Sequence, residues 1–74
     1  MGEYTAAGPV VRMADEMAVQ FASRPTDEAA AELAGHIRLF WDPRMRRALL
    51  AAVDGGTSVS AAVRAGAALL RPPG

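Results

Sequence analysis

Helix-breaking residues divide this chain into short segments, and their positions limit the folds that are open to it. Arg-Pro at 24–25 and Asp-Pro at 42–43 interrupt the chain, because the residue before a proline avoids the α region. Asp-Gly-Gly at 54–56 is a third break, since glycine readily forms a left-handed helix end. Between the breaks, apolar residues recur three and four positions apart, which is typical of one-faced helices. The sequence therefore predicts an all-α fold.

The predicted architecture is a small compact bundle of three to four short helices, because short connections place successive helices side by side. Residues 9–70 are expected to form a single helical domain, with a flexible N-terminal arm at 1–8 and a tail at 71–74. The last helix is the least secure, because its small side chains bury little apolar surface. The predicted helices cover about residues 9–23, 26–40, 43–54 and 58–70.

Polar residues at the breaks predict how the helices begin. Thr26 and Asp42 are placed to cap the second and third helices, and either Thr57 or Ser58 is placed to cap the fourth. Phe21 continues the apolar stripe of the first helix. The caps predict where each helix begins, and the apolar stripe predicts which side of the first helix faces the core.

The composition limits the stability of such a bundle. Of the 74 residues 51% are apolar, but many of these are alanines, and no cysteine is present to form a disulfide. A domain of this size often has a net stability of only about 3–5 kcal/mol. We therefore expect the chain to gain stability from a partner protein.

The balance of charge argues against several classes of partner. The formal net charge is zero, whereas a dedicated nucleic-acid-binding domain usually carries a basic excess. No stretch approaches the ~18 apolar residues of a membrane span, and the N-terminus lacks the pattern of a secretory signal. We expect a cytoplasmic protein that contacts neither nucleic acid nor membrane.

The residues needed for catalysis are scarce. A catalytic site requires a nucleophile near a base, a carboxylate pair or a metal cluster. With no cysteine and with His36 as the one histidine, the sequence predicts no catalytic, cofactor-binding or metal site. His36 lies beside the apolar face of the second helix, where a hydrogen-bonded structural role is expected.

The start of the third helix departs from local rules. Phe40 and Trp41 are adjacent, and neighbours on a helix point about 100° apart, so both cannot comfortably enter one small core. Three arginines follow where cations oppose the helix dipole. Such residue types are enriched at interface hot spots, although Trp41 closing the core beside solvated arginines is equally open from the residues alone. The predicted partner interface comprises Phe40, Trp41, Asp42, Pro43, Arg44, Arg46, Arg47 and Leu50.

The same segment carries a family resemblance. FWDPRMR at residues 40–46, preceded by His36, and VRMA at residues 11–14 resemble the delta subunit of NAD-dependent, molybdenum- or tungsten-containing formate dehydrogenase. The resemblance spans about residues 10–70, and no motif is matched in the last helix or the N-terminal arm. Beyond the predicted interface, the matched motif positions are Arg12, Met13, His36 and Met45.

The resemblance implies a small accessory subunit that holds no cofactor and has no active site of its own. Its implied role is to support assembly, stability or maturation of the catalytic subunit in a cytoplasmic complex. The implied partners are that large catalytic subunit and the electron-transfer subunits. Molybdopterin with molybdenum or tungsten, iron–sulfur clusters, FMN and NAD are expected in those partners.

Two other classes of function remain open. A small helical nucleic-acid-binding module would use Arg44, Arg46 and Arg47 on phosphates, although the balanced net charge argues against it. A homo-oligomeric interaction module would place Trp41 and Leu50 at a self-interface.

Overall fold

The computed structural model describes residues 7–72 and contains four α-helices and no strand within that range. The all-α bundle predicted from the sequence is confirmed. Of the predicted arm and tail, residues 1–6 and 73–74 lie outside the described residues. The helices are α1 (Ala7–Val19), α2 (Thr26–Phe40), α3 (Pro43–Asp54) and α4 (Ala61–Leu70).

Helix α1 begins and ends earlier than predicted. It starts at Ala7 and stops at Val19, and the chain then continues in a tighter turn. Within this turn, the amide of Phe21 donates to the carbonyl of Ala18 at 3.0 Å, three residues back. The prediction that the helix reaches residue 23, with Phe21 on its stripe, is therefore wrong, because apolar spacing does not distinguish an α-helical turn from a 3₁₀-like one.

The cap of α3 is the predicted one. Asp42 Oδ1 accepts a hydrogen bond from the amide of Met45 at 2.9 Å, and Pro43 occupies the first helical position. Proline suits this position because its missing N–H would have no helical partner there. The start of α3 is thus fixed by two adjacent residues.

The caps predicted for α2 and α4 are wrong. Thr26 is already the first residue of α2, and Pro25, which precedes it, offers no side-chain hydrogen bond. Helix α4 begins three residues later than predicted, because Ser60 and not Thr57 or Ser58 caps it. The hydroxyl of Ser60 accepts from the amide of Val63 at 3.2 Å.

The glycine pair ends α3, as the sequence predicted. Gly56 has a φ of 90°, whereas Gly55 has a φ of −79°. The amide of Thr57 donates to the carbonyl of Ala52 at 3.0 Å, and the amide of Gly56 donates to that of Val53 at 3.1 Å. This pair of bonds defines a Schellman motif, in which the left-handed residue is Gly56.

All four helices contribute to the core, and α2 and α4 form the most extensive helix pair. Alanines on α1 and α2 leave room for larger buried side chains, and no polar side chain is buried among residues 7–72. Dispersion and apolar burial therefore account for the packing. The buried cluster comprises Val10, Ala14, Ala18, Leu33, Ile37, Trp41, Leu49 and Val63.

Helix α4 packs closely against α2, although its side chains are small. Gly66 is buried, and a Cβ built there would lie 3.4 Å from both the carbonyl oxygen of Ala30 and the Cδ2 of Leu33. The end of α4 is also held, because Arg38 Nη2 donates to the carbonyl of Leu69 at 2.7 Å. A Cβ at Gly66 would thus be in van der Waals contact with α2, and the space between the two helices leaves no room for a longer side chain.

Candidate partner-binding surface

The segment FWDPRMR divides into residues that face the core and residues that face solvent. Trp41 is 6% exposed and belongs to the core, whereas Phe40 is 73% exposed. Helix α2 ends between them, and Trp41 has extended backbone angles, with φ −97° and ψ 140°. The placement of Trp41 as an exposed contact residue is therefore wrong, because the chain changes direction at this residue and turns its ring inward.

An aromatic row lies on the outside of α2. The His36 ring lies between Phe21 and Phe40, with centroid distances of 5.7 Å and 6.0 Å respectively. His36 is exposed, and no side-chain hydrogen bond to it is found within residues 7–72. The hydrogen-bonded role predicted for His36 is not what the structure shows, because aromatic stacking holds the ring on the surface instead.

Leu39 extends this row into a wider apolar surface. It is 78% exposed and lines a shallow groove along α2 together with His36. Arg24 borders the groove, since its guanidinium lies 5.8 Å from the centroid of the Phe21 ring and its Nη1 lies 3.0 Å from Glu32 Oε2. We call Phe21, His36, Leu39 and Phe40 the aromatic face.

Sequence reasoning missed two members of the aromatic face. Leu39 lies off the helical stripe of Leu33 and Ile37, and this position already indicates that its side chain faces away from the core. Phe21 gave no such signal, because its position depends on the turn that follows α1. The sequence predicted a surface at Phe40 but underestimated its extent along α2.

A second surface combines arginines with apolar residues, where α3 meets the end of α4. We call this surface the arginine groove; its lining is Pro43, Arg46, Arg47, Leu50, Leu70 and Pro72. Arg46 and Leu50 are half-buried, whereas Arg47 is exposed. Asp42 and the exposed Arg44 line a depression that shares Pro43 and Arg47 with it. The structure thus brings together most of the residues predicted to form an interface.

The cations of this surface have no ion-pair partner within residues 7–72. Arg44, Arg46 and Arg47 contact no carboxylate in that range. Asp42 is close in sequence, but one of its oxygens accepts the amide of Met45. The ion pairs of the described residues are Arg24–Glu32 and Asp54–Arg71.

The remaining motif positions lie on the opposite sides of their helices from the core or at its edge. Arg12 and Met13 face outward on α1, where Met13 is 41% exposed, whereas Val10 and Ala14 of the same helix are buried. Met45 is half-buried and packs against the core. The motif residues of α1 are therefore available for contact, whereas Met45 has a packing role.

Comparison with known protein families shows to which family the chain belongs. The family model described as the NADH-dependent formate dehydrogenase delta subunit FdsD matches residues 9–67. The chain belongs to this delta subunit family. No curated protein and no solved structure gives a significant match. Membership in the delta subunit family associates the chain with a formate dehydrogenase complex.

The matched range covers one of the two surfaces completely. All four residues of the aromatic face lie within residues 9–67 of this delta-subunit chain. The arginine groove lies within it only in part, because Leu70 and Pro72 follow the matched range. The aromatic face is thus wholly contained in the segment that defines the family.

The described part of this delta-subunit chain holds no cluster of three or more histidine, cysteine, aspartate or glutamate side chains suited to a metal ion. Its helices are also too short or too polar to cross a bilayer, as far as residues 7–72 are concerned. The candidate functional features within this range are the aromatic face and the arginine groove.

Proposed function

We propose that this chain is a non-catalytic accessory subunit that binds the large catalytic subunit of formate dehydrogenase. In this role it supports the assembly, stability or maturation of that subunit. Family membership supports the association, and the exposed aromatic face is the observation that carries the binding role. Molybdopterin, the iron–sulfur clusters, FMN and NAD are then bound by the partner subunits.

Large aromatic side chains are scarce in this chain. The chain has two phenylalanines and one tryptophan, yet Phe40 and Leu39 are 73% and 78% exposed. Complete burial of such a side chain contributes about 1.5–3 kcal/mol. A small domain that leaves both outside forgoes this contribution, and a partner that covers them recovers it.

The aromatic face is a row of ring contacts with charged residues at its border. The His36 ring contacts Phe21 in a tilted arrangement and Phe40 in a stacked one, and the Arg24–Glu32 ion pair spans the border of the groove. The geometry therefore favours an aromatic anchor with charged residues at its rim.

The test compares two exposed apolar side chains on different helices. The tagged catalytic subunit is co-expressed with wild-type chain, with Phe40→Ala or with Val19→Ala, and the amount of bound chain is measured. Val19 is the matched control, because it is 70% exposed but lies at the end of α1, outside the aromatic face. Phe40→Ala is expected to reduce recovery strongly, whereas Val19→Ala leaves it unchanged.

Two further measurements separate the possible roles. Metal content of the catalytic subunit and formate-dependent NAD reduction report maturation, whereas thermal inactivation of the finished complex reports stability. Circular dichroism of each variant checks that the helices are intact. Recovery of folded Phe40→Ala at the wild-type level, with normal activity of the complex, would show that the aromatic face is not the binding surface.

A further inference from the structure

The arginine groove has two chemical characters in one place. Its lining combines four apolar residues, Pro43, Leu50, Leu70 and Pro72, with Arg46 and Arg47. A purely anionic small ligand would leave the apolar residues uncovered, and a purely apolar one would leave the guanidinium groups unpaired. The lining therefore fits a ligand that offers both apolar groups and negative charge.

The charge of this surface is unbalanced, although the chain as a whole is neutral. Three of the eight basic residues lie within residues 44–47, the lining holds the single carboxylate of Asp42 beside them, and Asp54 is already paired with Arg71. Cations at a helix N-terminus oppose its dipole by about 0.3–1 kcal/mol each at exposed sites. An external carboxylate placed there would relieve this repulsion.

The frame around the groove is held in place before any ligand binds. Asp42 fixes the first turn of α3, and the carbonyl of Leu69 is held by Arg38. Arg71 joins the last turn of α3 through Asp54, with Nη1 and Oδ2 3.0 Å apart. The helix ends that carry the groove therefore require little reorganisation on binding.

We propose that the arginine groove binds a segment of the catalytic subunit in which carboxylates flank one or two apolar side chains. The carboxylates pair with Arg44, Arg46 and Arg47, and the apolar side chains lie on Pro43 and Leu50. This inference rests on the proposed function, because it assigns the segment to that partner. Balanced net charge favours such a protein segment over nucleic acid, which would require a larger basic surface.

Charge reversal tests the pairing with the full-length chain. Affinity for the purified catalytic subunit is measured for wild type, for the double variant Arg44→Glu and Arg47→Glu, and for Arg64→Glu. Arg64 is the matched control, since it is exposed near the start of α4 and outside the groove. The double variant is expected to bind at least about tenfold more weakly, with reduced salt dependence, while Arg64→Glu binds as wild type.

The absence of cysteine permits a direct identification of the bound segment. Arg47→Cys or Arg64→Cys carries a photoactivatable cross-linker on its thiol, and the cross-linked peptides are identified by mass spectrometry. Position 47 is expected to capture a catalytic-subunit peptide rich in Asp or Glu beside apolar residues. A captured peptide without carboxylates, or capture of nucleic acid, would overturn the inference.

The outcomes distinguish this inference from the proposed function. If wild type binds the catalytic subunit and the folded double variant binds it equally well, the groove assignment fails and the accessory role stands. If wild type recovers no formate dehydrogenase subunit, the proposed function fails, and the groove assignment fails with it.

Discussion

Phe40 and Trp41 are neighbours in the chain, but they face opposite environments because α2 ends between them. The amide of Trp41 still donates to the carbonyl of Ile37 at 2.9 Å, so the helix closes normally while the Trp41 backbone becomes extended. Its ring then enters the core, and the ring of Phe40 remains stacked on His36. A substitution of Trp41 is therefore expected to affect folding, whereas a substitution of Phe40 is expected to affect binding.

Replacement of these two aromatic residues is expected to have very different effects on stability. Trp41→Ala removes a buried ring and should cost about 3–5 kcal/mol, which approaches the whole stability of a domain this small. Phe40→Ala removes an exposed ring and should change the unfolding free energy by at most ~0.5 kcal/mol. Urea unfolding followed by circular dichroism measures both. Equal losses for the two variants would contradict the burial described here.

Two helical glycines are expected to respond in opposite ways to a side chain. Nothing lies within 4 Å of a Cβ built at Gly35, so Gly35→Ala should stabilise α2 by about 0.5–1 kcal/mol. A Cβ built at Gly66 would already contact Ala30 and Leu33 at 3.4 Å, so the larger side chain of Gly66→Leu has no space and should destabilise the fold by about 1–3 kcal/mol. Thermal unfolding of both variants against wild type tests this. A stable Gly66→Leu would mean that α4 does not approach α2 as closely as described.

At the scale of the element, α3 depends on its first residues. Asp42 provides both a hydrogen-bond acceptor for the amide of Met45 and a negative charge beside three arginines. These two contributions have different physical origins, because the hydrogen bond is local and the charge effect is screened by salt. Substitutions at this single position separate them.

Asp42→Ala should destabilise the chain by about 1 kcal/mol, because the cap is lost. Asp42→Asn keeps an acceptor for the Met45 amide but removes the charge, so it should lose less. Its deficit should also shrink as salt increases, whereas most of the Asp42→Ala deficit should remain. Thermal unfolding at low and high NaCl measures the difference. Identical losses for the two variants at every salt concentration would exclude a contribution from the cap hydrogen bond.

The predictability of each helix follows from how specific its end signals are. The bounds of α3 were predicted correctly, because Asp-Pro favours a helix start and Gly-Gly readily supplies the left-handed residue at which a helix ends. The start of α4 was not, because Thr57, Ser58 and Ser60 are all able to cap a helix. The choice depends on tertiary structure, where Asp15 Oδ1 accepts from the amide of Ser60 at 3.3 Å. The sequence around Ser60 does not predict that contact, because Asp15 lies 45 residues away in the chain.

The candidate site was predictable to the extent that its residues break local rules. Adjacent aromatic residues and N-terminal arginines pointed to the region that the structure shows as Phe40 and the arginine groove. The orientation of Trp41 was not predictable from helical geometry, because the 100° rotation between neighbours applies only while the helix continues. The contact between Phe21 and His36 was not predictable either, because it depends on the turn that follows α1.

At the scale of the whole molecule, contacts distant in sequence hold the end of α4 against α2 and α3. Arg38 donates to the carbonyl of Leu69, and Arg71 forms an ion pair with Asp54 at the end of α3. The hydrogen bond from Arg71 lowers the pKa of the Asp54 carboxyl below its ordinary value. Protonation of Asp54 is therefore linked to the contact between the end of α3 and Arg71, the residue that follows α4.

This coupling predicts how stability depends on pH. A carboxyl whose pKa is lower in the folded state contributes stability above its unfolded pKa and loses it as the pH falls through its folded pKa. Wild type should therefore lose more stability than Asp54→Asn as the pH falls below the ordinary carboxyl range, and exceed that variant by a small amount at neutral pH, because an exposed ion pair contributes little. Arg71→Gln should give the same flattened profile, because it removes the other half of the pair. Urea unfolding midpoints from neutral pH to below the ordinary carboxyl range test the coupling, and profiles that run parallel for all three proteins would show that Asp54 titrates independently of folding.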